Sequence, residues 1–227
     1  MMGTYLPDNI FGNFVFLILV IIGFVICLRL GSALLIYLFS PSGSPMLISG
    51  LVDAKHMRKI PQDPSSSGAI PIIRSDDSSQ GLVFTWSVWI FIEDLTYKQG
   101  THRHIFHKGG DNTDSTGMSN PNNAPGLYIS PDTNDLVVAI DTFAKPNIKV
   151  TVPDIPLNKW VSVIIRVDQQ HVMDVFINGT LTKRQILGSI VKQNYGDVYV
   201  AMDGGFAGYI SNLQYFNQAL GTAKIQS

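Results

Sequence analysis

The sequence predicts an all-β jelly-roll sandwich preceded by one N-terminal transmembrane helix. Two observations carry that expectation. Residues Ile10–Phe39 are almost wholly apolar, with Arg29 as their single charge. Beyond Gly81 the chain is a series of short runs of β-branched and aromatic residues separated by turn residues, with no helical period longer than about two turns.

Residues 1–9 (MMGTYLPDN) form a short tail whose only charge is Asp8. A cleaved secretory signal carries a positive leader and an apolar core of about 7–15 residues. This chain has neither, so a permanent anchor over 10–39 is expected. A helix rises about 1.5 Å per residue and a hydrocarbon core is about 30 Å thick, so roughly 20 residues suffice to cross. Two placements of Arg29 follow. In one the span runs from Ile10 through Phe14 to Leu28, Arg29 sits at the headgroups, and Leu30–Phe39 is an apolar extension. In the other the span runs from Phe14 to Phe39 with Arg29 inside it, needing a partner.

The basic residues nearest the span, Arg29, Lys55, Arg58 and Lys59, all follow it. Their bias predicts a single-pass protein with its N-terminus across the membrane and its large domain on the cytosolic side. The one cysteine, Cys27, lies in the apolar run, so the soluble part holds no disulfide, which suits a reducing compartment. A net charge of −1 leaves no electrostatic footprint for nucleic acid.

Residues 40–80 read as a linker. SPSGSP stops the helix, a short amphipathic patch (LISGLVDAKHMRKI) follows, and PQDPSSSGAIP and RSDDSSQG are rich in loop formers. Residues 81–227 then form the β-sandwich domain. VFTWSVWIFI, LVVAI, IKVTV, WVSVIIRV, VMDVFI, DVYVAM and GYISNLQYF are its strands, and Asn178-Gly179 after VMDVFI is a two-residue hairpin signal. Asn178-Gly179-Thr180 also spells a glycosylation sequon, but the hairpin explains the same residues. Trp160 opens a central strand, and Gly208 suits a close approach between backbones.

Histidines gather at 102, 104 and 107. On a regular strand His102 and His104 share a face while His107 points away, so the trio reads as a polar strand start rather than a metal site. Neither a glycine-rich phosphate loop nor a nucleophile elbow occurs in the strand–turn–helix setting that such motifs require.

The series Phe84-Thr85-Trp86-Ser87-Val88-Trp89, Ile105-Phe106-His107-Lys108-Gly109 and Gly126-Leu127-Tyr128-Ile129, with Val175–Gly179 and Phe206–Leu220 closing the chain, resembles the laminin-G-like branch of the concanavalin A-like lectin/glucanase superfamily. With its anchor, the chain also resembles membrane-associated minor capsid proteins of large DNA viruses of algae and amoebae. Hydrolases of the superfamily place paired glutamates on one strand. This chain has a single glutamate, Glu93, beside Asp94, and adjacent strand residues face opposite ways, so no enzyme is expected. The resemblance also implies calcium as the one ion to consider, with Asp111, Asn112 and Asp114 in one oxygen-rich loop and Asp132, Asn134 and Asp135 in another. Turn chemistry accounts for the same residues.

The functional expectation is a non-enzymatic structural or interaction protein, a minor capsid component tying an internal virion membrane to the capsid shell, its partners being the bilayer and capsid or other membrane-complex proteins. The alternative is a membrane-displayed carbohydrate-binding module using rim aromatics such as Tyr97, Tyr128 or Phe143.

Overall fold

Apolar side chains on every turn of a helix leave it no polar face, whereas alternation on a strand gives one face to a core. Both patterns are realised in the computed structural model, which describes residues 10–75, 83–120 and 123–226. The expected tail, 1–9, lies outside the described residues. The chain divides into two units, 1–41 and 42–227.

The first unit is the helix α1 (Ile10–Phe39, 30 residues), long and apolar enough to cross a membrane. It continues through Arg29 without a break. Large apolar side chains stand exposed all round it, among them Phe14, Leu28 and Phe39. At its end the Ser40 hydroxyl donates to the Ile36 carbonyl at 2.6 Å, occupying one of the carbonyls that a helix terminus leaves open.

The second unit is a sandwich. In chain order its strands are β1 (Met46–Asp53), β2 (Arg58–Ile60), β3 (Phe84–Ile92), β4 (Arg103–Gly109), β5 (Asn112–Thr113), β6 (Ser119–Asn120) and β7 (Asn123–Ile129). There follow β8 (Leu136–Ile140), β9 (Ile148–Val152), β10 (Trp160–Val167), β11 (Val172–Ile177), β12 (Thr180–Ile186), β13 (Asp197–Val200) and β14 (Gly208–Phe216), then a short helix α2 (Thr222–Gln226). Two six-stranded antiparallel sheets result, ordered β1-β14-β3-β10-β11-β12 and β2-β13-β4-β7-β8-β9, with β5 and β6 pairing as a separate ribbon. The fold class is the one the sequence predicts. Crossing from one sheet to the other between neighbouring elements is what separates this arrangement from a simple meander.

The inward faces meet in one apolar core. Along β3, Phe84, Trp86, Val88, Ile90 and Ile92 point inward, and along β10 Val161, Val163, Ile165 and Val167 do the same. Trp86, 1% exposed, stacks on Phe106 of the opposite sheet with ring centroids 5.1 Å apart and meets Tyr215 edge-on at 5.3 Å. Aromatic pairs in such offset and edge geometries add about 0.5–1.5 kcal/mol beyond their buried area.

The linker expected over 40–80 is corrected by the first two strands. β1 and β2 are edge strands of the two sheets, and Leu47, Ile48, Val52, Ala54 and Ile60 are core residues. The alternation was broken by a bulge. Gly50 adopts φ +74 and the β1–β14 register shifts between Ile48 and Leu51, facing Asn212, which itself adopts φ +49. The amide of Gly50 donates to Asn212 Oδ1. Further on, Gln62 accepts from Ile72 N–H and donates to the Ile70 carbonyl, which closes the proline- and serine-rich stretch on itself, and the Gln62 amide donates to Asp197 Oδ1 of β13, which ties it to the sandwich.

The hairpin signal is realised: Asn178 (φ +50) and Gly179 (φ +77) turn β11 into β12 with the positive φ angles a type I′ turn requires. Gly208 is the predicted close approach. A Cβ there would lie 1.9 Å from the Phe91 carbonyl oxygen. Gly208→Ala in the full chain is therefore expected to lower stability by about 3 kcal/mol, the upper range for overpacking a tight site. Urea unfolding in detergent micelles reads this as a lower midpoint, and an unchanged midpoint would refute the packing account.

Candidate functional site

A polar side chain at the end of a strand cannot enter the core, so the rims of the sandwich collect the groups that can recognise a ligand. A cavity of about 420 Å³ lies at such a rim. Three separate loops wall it: the β3–β4 connection with Lys98 and His102, the β5–β6 ribbon with Thr113 and Asp114, and the turn after β13 with Met202 and Asp203.

Each wall is set by local hydrogen bonding. In the first, Asp94 Oδ1 accepts from the Thr96 amide at 2.8 Å and the Tyr97 amide at 3.1 Å, closing an Asx turn. The buried guanidinium of Arg103 donates to the carbonyls of Leu95, Tyr97 and Ser130, stitching two loops to the start of β4. In the second, Asp114 Oδ1 accepts from the Thr116 amide, the Thr116 hydroxyl and the Met118 amide. Burial pushes this carboxyl's pKa up, but those donors outweigh it and hold the group below the usual carboxylate range. His102 Nδ1 donates to the Thr116 carbonyl at 3.0 Å, which leaves Nε2 as the ring's second nitrogen. In the third, the Thr113 hydroxyl donates to Asp203 Oδ2 at 2.6 Å.

The cavity walls include left-handed backbone. Lys98 (φ +53) and Asp203 (φ +52) line it, and Ala201 (φ +52) begins the same turn. Non-glycine residues held there cost on the order of 1–3 kcal/mol each and cluster where a surface has a task.

Beneath the third wall lies a buried histidine pair. The sequence reading placed His104 and His107 on opposite faces, and the structure corrects this. The β4–β7 register shifts between His104 and Phe106, a bulge that brings both imidazoles to one side. His104 Nε2 and His107 Nδ1 are 2.6 Å apart. The Met202 amide donates to His104 Nδ1 at 3.0 Å, so the His104 proton sits on Nε2 and is given to His107 Nδ1. His107 then carries its proton on Nε2 and donates to the Gly110 carbonyl at 2.7 Å. Every ring nitrogen is used, and both rings must be neutral. Burial, together with the repulsion that would follow if both rings were protonated, holds the His104 pKa well below the usual histidine value, and burial lowers that of His107 to about 4.

The other residues singled out in the sequence are dispersed. Asp114 closes its ribbon, Asn112 pairs across that ribbon with Asn120, and Asp111 is exposed beside it. Asn134 Nδ2 donates to the Ile155 carbonyl and Asp135 Oδ1 accepts from the Asp154 amide, so these two tie loops together. Among the described residues no three His, Cys, Asp or Glu side chains gather around one point. Of the rim aromatics, Tyr97 adjoins the cavity wall, with Lys55 Nζ 5.2 Å above its ring, and Phe143 is exposed away from it beneath Lys192. Tyr128 is not a rim residue. It is fully buried, and its hydroxyl donates to Asn123 Oδ1 and accepts from the Ser119 amide. Sequence reasoning missed Lys98, Thr113, Met202 and Asp203, which come from loops about 15 and 90 positions apart.

A laminin G family model described as "Concanavalin A-like lectin/glucanases superfamily" matches residues 66–226. No curated protein matches the chain. Among solved structures, the binding domain of Paraclostridial Mosquitocidal Protein 1 aligns at TM-score 0.56 and 14% identity, over 82% of this chain and 45% of that one. The Botulinum neurotoxin serotype G binding domain aligns at 0.54 and 16%, over 83% and 46%. The Botulinum neurotoxin serotype D ligand binding domain, in complex with N-acetylneuraminic acid, aligns at 0.53 and 14%, over 79% and 50%. The chain spans about half the length of these neighbours, and at such identities the likeness is one of fold.

The histidine pair yields a pH prediction. Unfolded histidines titrate near about 6.5. Between that value and about 4 the unfolded chain takes up protons that folded His104 and His107 refuse, so stability is full above the upper value and falls as pH drops through the window. Thermal unfolding of the full chain is expected to show this decline, and His107→Gln to flatten it. A slope unchanged by that substitution would rule the pair out as its source.

Proposed function

Because the chain belongs to the concanavalin A-like lectin/glucanase superfamily, we propose that it is a membrane-anchored, non-enzymatic binding module that recognises a glycan at the rim cavity. The observation that carries this reading is the convergence of Lys98, His102, Thr113, Asp114 and Asp203 around one open cavity on backbone held in costly conformations. Hydroxyl, amine, imidazole and carboxylate groups set side by side match the dense donor–acceptor pattern of a polyhydroxylated ligand. The complex of a fold neighbour with N-acetylneuraminic acid supports the ligand class. A non-enzymatic role is consistent with the chain's single glutamate, Glu93, beside Asp94, whose Oδ1 is engaged in its own turn. The apolar helix α1 supplies the anchor, and the basic residues after it favour a cytosolic domain.

The full chain in detergent micelles, applied to a glycan array, is expected to bind a restricted set of glycans. Lys98→Ala and Thr113→Val each weaken that binding about tenfold, the loss of a well-placed contact. Phe143→Ala, away from the cavity, leaves it unchanged. An array without signal for the wild-type chain overturns the reading.

A second reading, the scaffold role at an internal virion membrane, draws on the sheet edge. The outermost strand β12 exposes nearly its whole length, including Leu181 and Ile186, and an open edge can accept a partner's strand. On this reading mass spectrometry of purified virions finds the chain in fixed ratio to capsid components. Its absence from them removes the reading.

A further inference from the structure

The two ends of the sandwich differ in chemistry, and the path of the chain connects one of them to a bilayer. Beyond α1 the chain is fastened to the domain at Gly43 and Pro45, whose carbonyls accept from the amides of Asn217 and Tyr215 where β14 finishes. Only Ser40, Pro41 and Ser42 lie between Phe39 and Gly43. Four peptide links reach about 14 Å at most. At this end Phe84 and Tyr215 of the first sheet line one cleft with Lys108, Ala124 and Asn194 of the second, so it is a shared end of both sheets. The rim cavity belongs to the other end, where β4 begins and the turn after β13 lies.

Two loops at the tethered end are zipped together. β8 finishes there, its following Asp141 amide donating to the Asn123 carbonyl. The loop 141–147 then meets the segment 187–196 through a Thr142–Val191 bridge. The Phe143 amide donates to the Ile190 carbonyl at 3.0 Å and the Lys192 amide to the Asp141 carbonyl at 2.8 Å. Held this way, Phe143 is 69% exposed and Tyr195 fully exposed, the two most exposed aromatic side chains among the described residues of the sandwich. Lys145 is exposed beside them, and Lys192 Nζ stands 6.0 Å above the Phe143 ring. No acidic side chain occurs from Thr142 to Lys149 or from Leu187 to Gly196. The nearby Asp141 is buried, and its Oδ1 accepts from the Asn147 amide.

Granted the membrane span read in α1, we infer that these two loops rest on an anionic lipid surface, with Phe143 and Tyr195 among the headgroups and Lys145 and Lys192 against lipid phosphates and carboxylates. Exposed rings are costly in water but suit the boundary of a bilayer, where aromatic residues gather at headgroup level. Lysines without competing acids meet the negative potential of such a surface. The short tether favours lipid over a protein partner, because it holds this end beside the bilayer at an effective concentration that a free partner does not match. The rim cavity, at the opposite end, then faces away from the membrane and stays open to a ligand.

The test uses the full chain with Cys27→Ala removing the native thiol. A nitrobenzoxadiazole dye is attached at Phe143→Cys, at Tyr195→Cys or, in the exposed turn between β7 and β8 at the cavity end, at Thr133→Cys. Each variant is placed in phosphatidylcholine vesicles with or without phosphatidylserine, containing a lipid with a nitroxide headgroup. With phosphatidylserine present, dye at positions 143 and 195 is expected to be quenched about threefold more than dye at 133. Lys145→Ala combined with Lys192→Ala, or roughly 1 M salt, brings the quenching at 143 down toward that at 133. Equal quenching at 133 and 143 in the anionic vesicles overturns the inference. Shielding from aqueous iodide without quenching by the lipid nitroxide also overturns it, and assigns the loops to another copy of the chain. Flotation separates the two levels: a chain that does not float with the vesicles refutes the anchor and this contact together, whereas a floating chain with unquenched loops refutes only the contact.

Discussion

Trp86 bridges the two sheets of this domain. It projects from the first third of β3, lies flat on Phe106 from the other sheet, and receives Tyr215 from the neighbouring strand at its edge. Two twisted sheets packed at roughly 10 Å leave room for one layer of interdigitated side chains. A residue filling that layer from one sheet to the other therefore fixes both their spacing and their offset. Everything at the rims inherits its position from this contact. β4, which carries Phe106, also begins with Arg103 and contains His104 and His107, so the loops of the cavity are referenced to the same strand that meets the tryptophan.

The bulge on β4 shows how a packing demand becomes a polar arrangement. Ile105 and Phe106 are both fully buried, which strict alternation does not allow for adjacent residues on one face. The shift that accommodates them rotates His104 and His107 onto the same outer side. There they form a chain of hydrogen bonds running from the Met202 amide to the Gly110 carbonyl. That chain clamps one end of a turn whose Ala201 and Asp203 are both left-handed, while Thr113 holds the other end. The strain is thus balanced by buried, fully satisfied partners, the condition under which such conformations persist.

How much of this could be read from the residues depended on whether each element obeyed its local rule. β3, β8, β10, β11 and β14 are runs of β-branched and aromatic residues bounded by turn formers, and each lies where its run does. The Asn178-Gly179 turn and the Gly208 contact were equally legible, since each needs a residue type with few substitutes. β1 was not. Its core residues Leu47, Ile48 and Val52 are spaced by a bulge at Gly50, which erases the period of two, and β2 is only three residues long. The rim cavity was the least legible part. His102 and Asp114 drew attention by composition, but their neighbours Lys98 and Asp203 stand on separate loops, and only the pairing of sheets brings them together. Tyr128 shows the converse error: expected among the rim aromatics, it is buried, and its hydroxyl is a structural pin inside.

The uninterrupted helix α1 has a consequence for the company this protein keeps. At about 1.5 Å per residue its 30 residues reach about 45 Å, against a hydrocarbon thickness of about 30 Å. A lean of about 20°, the average for membrane helices, shortens that reach by only a few ångströms. A bilayer holding the whole helix must therefore thicken locally, or the helix must lean further, or its final turns must lie among headgroups, where Tyr37 is a residue suited to the interface. Each of these responses costs less in a thick, well-ordered membrane than in a thin one. Where α1 crosses a bilayer over its whole length, that length fits a thicker membrane better than a thin one.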